Sequence, residues 1–185
     1  PAVYGPLVAK AQADATVTGN AAGAKAGADY AAAQGPLLVA SMKQAGTELV
    51  ALVKDKIIAN GANYVIVNNL PDVAGTPSGL SKDANTKALI NAMVSAFNGE
   101  LSSGLNGNAK VLLVDVFAVS HDQGVNPGPY GLTNVSETAC DLTAPGNILG
   151  SSLVCNGTNL KAGDVSHYSY ADDVHPTPFN NLLLA

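Results

Sequence analysis

The sequence has no tryptophan and three phenylalanines in 185 residues, and only 12% of its side chains are charged. With so few large aromatics, the core must be built from small aliphatic residues. Much of the 47% hydrophobic content is alanine, which makes a thin core for the length. Nine Lys and Arg stand against fourteen Asp and Glu, for a net charge of −5, and no basic cluster is present to neutralise phosphates. That excludes nucleic acid as an expected partner. No apolar run approaches the roughly 18 residues that a membrane-spanning helix needs. There is no glycine-rich phosphate cradle, internal repeat or heptad seam, and no cofactor is expected. No Cys-x-x-Cys or paired His spacing occurs, so no metal site is expected.

Only two cysteines are present, Cys140 and Cys155, in a segment rich in Gly, Ser, Thr and Asn. Two cysteines by themselves fit free thiols or a bond. A segment with little apolar content gains from a cross-link, however, and closing a loop of about 15 residues contributes ~3 kcal/mol in the chain-entropy picture. A disulfide and an oxidising compartment are therefore expected.

Along the chain, residues 6–34 are rich in Ala and Gly and predict two short helices broken around Thr18-Gly19-Asn20. A lid-like insertion over residues 1–35 is an alternative for this weakly specified region. Pro36 is expected to open a stronger helix, with Leu38, Met42, Ala45, Leu49, Val53 and Ile57 on one face and Asn60-Gly61 at its end. Tyr64–Val67 predicts a buried parallel strand, and Asn69 and Asp72 lie just past its C-terminal end. Ligands bind at that end of open α/β sheets, so both are candidate substrate-binding residues; loop capping is the competing role for Asp72. Ser81 is expected to cap a helix whose buried stripe is Leu89, Ile90, Met93, Val94, Phe97 and Leu101. A second buried strand is expected over Val111–Phe117, with Asp115 needing a partner or a capping role. His121 has no carboxylate at close spacing before it and would fall on a surface loop, with substrate contact as the alternative role. Residues 123–168 are mostly turn-forming and read as one long loop closed by the two cysteines.

The segment that follows carries the chemistry. In Asp172-Asp173-Val174-His175-Pro176-Thr177-Pro178 a carboxylate precedes a histidine by three residues. Pro176 biases His175 away from the α region, and Pro178 can open a helix. Asp172 is then within reach of the imidazole Nδ1, which would leave Nε2 as a general base toward a nucleophile. The same residues also read as a plain helix start in which Asp172 or Asp173 caps the turn at Asn180.

Tyr170–Thr177 resembles the last sequence block of the GDSL-type (SGNH) esterases and lipases, of the secreted bacterial type. Gly61–Asp72 and Lys110–Phe117 are similar to a central strand with its loop and to the next strand of that family, in the same order. The resemblance implies a three-layer α/β/α sandwich on a parallel sheet, flavodoxin-like, with His175 and Asp172 as two members of a Ser-His-Asp triad. Asp173 is the weaker candidate for the acid. The family's nucleophile lies in a Gly-Asp-Ser block that this sequence lacks; Gly163-Asp164-Val165-Ser166 has one residue too many, and Gly75–Gly79 is not a Gly-x-Ser-x-Gly elbow. The expectation is therefore residues 1–185 as the C-terminal portion of one domain. An upstream segment would supply the Ser, an ester or lipid would be the substrate, and the enzyme would be secreted. An acyltransferase using the same residues, or a non-catalytic binding or assembly fragment, are the alternatives.

Overall fold

The computed structural model describes residues 4–185. The chain divides into two compact units, Pro1–Leu38 and Val39–Ala185. In the first, the described residues belong to one helix, α1 (Tyr4–Leu52). The expected break around Thr18-Gly19-Asn20 does not occur. The Thr16 and Thr18 hydroxyls fold back on the carbonyls of Gln12 and Asp14, and Lys10–Asp14 and Lys25–Asp29 form i,i+4 pairs. Alanine is the strongest helix former, and its abundance offsets the roughly 1 kcal/mol that a glycine such as Gly19 costs. Pro36 lies inside α1 rather than at its start. It sits exposed between runs of good helix formers, which carry the helix past the ~3 kcal/mol cost of an interior proline.

In the second unit α1 passes into a π-helical turn, Val53–Ile58, and the chain continues through β1 (Val65–Asn68), a 3-10 turn (Val73–Gly75), α2 (Pro77–Leu80), α3 (Ala84–Leu105), β2 (Val111–Val114) and α4 (Val116–Val125). β1 and β2 pair in parallel, Val65 opposite Val111 and Val67 opposite Leu113. Val53, Val67, Leu101 and Leu105 form the buried centre, and Leu49, Val50, Ile58, Val65, Phe97, Val111 and Leu113 pack around them. Of the expected stripes, Leu49 and Val53 from the first helix and Phe97 and Leu101 from α3 reach this core, whereas Leu38 and Ile57 are exposed. Two glycines allow the close approach of α1 and α3. A Cβ at Gly46 would lie 2.8 Å from the Phe97 carbonyl oxygen, and one at Gly104 would lie 2.6 Å from the Val50 methyls. We expect Gly46→Val to cost about 2–4 kcal/mol in urea unfolding, because the obstructing atoms are the Phe97 backbone and the Glu100 Cβ, neither of which can rotate away.

Both strands were expected to be buried on both faces. Only one face is covered: Ile66 is 69% exposed and Leu112 60%, and Tyr64, expected within the strand, precedes it at 95% exposure. Among the described residues nothing packs over this second face. Ser81 ends α2, and Asp83 caps α3 by accepting from the Asn85 and Thr86 N–H groups. β2 stops at Val114, because the Asp115 side chain accepts from Ala118 N and starts α4. His121 therefore lies on a helix and not on a loop.

Residues 123–168 are also more ordered than their composition implied. They contain the end of α4, 3-10 turns at Gly128–Tyr130 and Ser152–Val154, and β3 (Asn134–Thr138). β3 pairs in parallel with β4 (Tyr168–Tyr170), interrupted by an irregularity. Cys140 and Cys155 are joined by a disulfide. α5 (Pro178–Leu184) closes the chain, and Thr177, not either aspartate, caps it through Asn180 N. The described residues thus give a mixed helix–strand structure with two small parallel sheets, consistent with the α/β class.

Candidate active site

β4 delivers the chain into a short loop held at both ends. Ala171 N donates to the His175 carbonyl at 2.8 Å, Thr177 N to the Ser169 carbonyl at 3.0 Å, and the Thr177 hydroxyl to the Tyr168 carbonyl at 2.6 Å. Asp172 is the hub. Its Oδ1 accepts from Val174 N at 3.0 Å and His175 N at 2.8 Å, and its Oδ2 accepts from Ser152 N at 2.8 Å. Both oxygens stand 2.9 Å from His175 Nδ1. A neutral imidazole so placed carries its proton on Nδ1 and keeps the Nε2 lone pair as an acceptor. The Asp172 side chain is 7% exposed and that of His175 67%. The acid is therefore fixed within the protein and the base is presented at its surface. The carbonyl of Asp173 accepts from Ser78 N at 2.9 Å, which ties the loop to α2.

Burial alone would raise the Asp172 carboxyl, but hydrogen bonds from Ser152, His175 and Val174 outweigh it and hold the group well below the usual carboxylate range. Because the folded value is depressed, the associated stability is fully present above the unfolded value of about 4 and is lost as pH falls through the folded value. Asp172→Ala is accordingly expected to narrow the gap in unfolding free energy between pH 7 and pH 3 relative to the parent, measured by urea titration. The variant itself should lose about 3 kcal/mol at pH 7, since four donors lose their acceptor.

A second imidazole–carboxylate pair lies at the C-terminal end of the first sheet. His121 Nδ1 is 2.7 Å from Asp72 Oδ2. Asp72 also caps the 3-10 turn by accepting from Gly75 N at 3.0 Å, and its own N–H donates to the Ser120 hydroxyl at 2.8 Å. Phe117 stacks on His121 with ring centroids 6.0 Å apart and planes at 3°. The pair borders a cavity of about 360 Å³ with Leu80, Val135 and Ser136. Sequence reasoning found no carboxylate for His121 because the partner lies 49 residues earlier; only the meeting of the β1 loop with α4 supplies it. Burial, and after it the Asp72 charge, pushes the Tyr170 phenol above its ordinary value. Asp72→Ala should cost about 2 kcal/mol in denaturant unfolding, through the lost cap, and His121→Ala about 0.5 kcal/mol.

Asn69 sits at the same sheet end. Its Nδ2 donates to Asp115 Oδ1 at 2.8 Å and its Oδ1 accepts from Phe117 N at 3.0 Å, so the amide fastens β1 to the start of α4. Ser166 donates its hydroxyl to Asp164 at 2.6 Å within its own turn. His167 packs on Phe179 with ring centroids 4.3 Å apart. The sequence-predicted residues thus fall into a joined pair, Asp172–His175, and two positions at the other sheet's end, Asn69 and Asp72.

No protein-family model matches the chain. It is similar to GDSL esterase/lipase 7 of Arabidopsis thaliana, 29% identical over 164 residues, which are 86% of this chain and 42% of that protein. The chain therefore spans less than half the length of this curated relative. The likeness is distant and partial, and it supports a general ester-hydrolase family of the GDSL kind.

Proposed function

We propose that this chain supplies the His and Asp of a serine esterase or lipase: His175 is the general base and Asp172 its orienting acid. A Ser from an upstream segment of the same polypeptide attacks the ester carbonyl, and its proton passes to His175 Nε2. Asp172 stabilises the resulting imidazolium. The alcohol leaves with that proton, and water, deprotonated by the same imidazole, releases the acid from the acyl-enzyme. The observation that carries this reading is the imidazole held by both oxygens of a buried carboxylate with its other edge exposed.

The same segment would cover the open face of Tyr64, Ile66 and Leu112 and complete a three-layer α/β/α sandwich. Uncovered apolar strands and free sheet edges are unstable in water, which supports that part of the reading. Residues 1–185 would then form the C-terminal portion of one domain, with the Ala-rich residues 1–35 inserted before its first matching strand. The disulfide supports secretion, since such bonds persist in oxidising compartments. The test is hydrolysis of p-nitrophenyl esters by the complete polypeptide and by residues 1–185 alone. Turnover is expected of the first only; turnover by residues 1–185 alone, or by neither, contradicts the assignment.

A further inference from the structure

Directly after Cys155 comes Asn156-Gly157-Thr158, and β3 opens on Asn134-Val135-Ser136. Both are Asn-x-Ser/Thr triplets, the acceptor pattern for N-linked sugars on the surface of a secreted protein. The structure separates the two. Asn156, Gly157 and Thr158 are all exposed. Asn156 N donates to the side-chain oxygen of the buried Asn159 at 2.7 Å, which anchors the turn. Asn156 Oδ1 accepts from Thr158 N at 2.9 Å and from the Thr158 hydroxyl at 2.7 Å. Its Nδ2 makes a long contact of 3.4 Å to the Val154 carbonyl. Two donors on Oδ1 draw charge from the amide and make an Nδ2 proton easier to lose. One of those donors is the hydroxyl that the triplet requires.

Asn134 is placed differently. It is half-buried, and it lies opposite Tyr168 in the β3–β4 pairing. Its Oδ1 accepts from two backbone donors, Ser136 N and Glu137 N, and its Nδ2 donates to the Glu137 carboxylate at 3.2 Å. A sugar on this nitrogen would have to displace Glu137 and stand against the sheet.

A second observation concerns the chain around Asn156. No charged side chain occurs between Asp141 and Lys161, yet Ile148, Leu149 and Leu153 in that stretch are 83%, 61% and 84% exposed. Exposed hydrocarbon on a segment without charge favours self-association unless another group hydrates it. A covalent glycan is bulky and solubilising, and it hydrates a surface without adding charge.

We infer that Asn156 carries an N-linked glycan and that Asn134 does not. An oligosaccharyl transferase would add it from a polyprenyl-diphosphate-linked oligosaccharide. The Asn156 Nδ2 bonds to the anomeric carbon, the bond from that carbon to the diphosphate oxygen breaks, polyprenyl diphosphate leaves, and the transferase takes the proton lost from Nδ2. One N–H stays on Nδ2 and Oδ1 is untouched, so the bonds from Thr158 survive the modification. The inference rests on the secretion read from the disulfide and not on the ester chemistry.

The test produces the complete polypeptide through the secretory route of a eukaryotic host cell. A glycan-releasing amidase in heavy-oxygen water then converts each occupied Asn to a labelled Asp, which peptide mass spectrometry locates. The label is expected at Asn156 and not at Asn134. Thr158→Ala should abolish it and Thr158→Ser should retain it; both change an exposed side chain, and Asn156→Gln gives the same loss if the alanine variant misfolds. A bare Asn156 beside an intact Cys140–Cys155 bond, a label on Asn134 in its place, or a label on Asn156 that survives Thr158→Ala overturns the inference. A bare Asn156 with Cys140 and Cys155 recovered as free thiols removes the secretion reading along with it.

Discussion

His175→Ala is expected to lower ester hydrolysis by the complete polypeptide on the order of 10⁴-fold or more, with the fold intact by circular dichroism. The side chain is two-thirds exposed and packs little, so its removal costs chemistry rather than stability. Asp172→Asn should follow with a loss of about 10³–10⁴-fold. An amide can hold the ring in the wrong tautomer and cannot stabilise an imidazolium. Asp173→Asn should stay within about threefold, because the Asp173 side chain is exposed and its backbone carbonyl, which substitution leaves in place, makes the contact to Ser78. The informative feature is the ranking. If Asp173→Asn were the more damaging change, the acid would be misassigned. A wild-type rate in His175→Ala would leave the dyad as loop structure only.

Replacing both Cys140 and Cys155 by serine is expected to lower the melting temperature by about 6–12 °C. The two cysteines are 15 residues apart; closing such a loop contributes ~3 kcal/mol, and each kcal/mol moves the midpoint about 2–4 °C in a chain of this size. The second consequence falls on the dyad. Ser152 begins the 3-10 turn that Cys155 follows, and its N–H donates to Asp172 Oδ2. Loosening that turn weakens one of the hydrogen bonds that hold the Asp172 carboxyl low. The folded pKa then rises toward the unfolded one, so less carboxylate-linked stability remains above pH 4. Activity of the complete polypeptide should fall with it, and more steeply in the acid limb than at neutral pH. Unchanged acid sensitivity in the serine variant would show that the disulfide braces the loop without reaching Asp172.

What could be read from the sequence was what is local along the chain. Asp172 and His175 are three residues apart, and the proline after the histidine restricts the backbone that brings them together, so five residues contain most of the geometry. The apolar stripe of α3 and the parallel pair β1–β2 were legible for the same reason: periodicity reports a face without reference to its partner. The misses are competitions that sequence position alone does not settle. Ser81 and Asp83 both fit an N-cap, and Asp83 wins with two backbone N–H groups and the Thr86 hydroxyl on one carboxylate. Val116 and Phe117 continue an apolar run, but the Asp115 cap turns them into the first residues of α4. β3 and β4 are short, polar on average and paired across about thirty residues of turn-forming chain, so no local signal announces them. The His121–Asp72 pair is the same problem at the level of side chains. The exposed faces of Ile66 and Leu112 looked buried because an all-apolar strand implies two covering layers.

The most direct test is to treat the complete polypeptide with a fluorophosphonate and map the adduct by peptide mass spectrometry, in the parent and in His175→Ala. One adduct is expected, on a serine upstream of Pro1, and it should disappear when His175 is replaced. An adduct on a serine within residues 1–185, or one whose formation is indifferent to His175, would contradict the account.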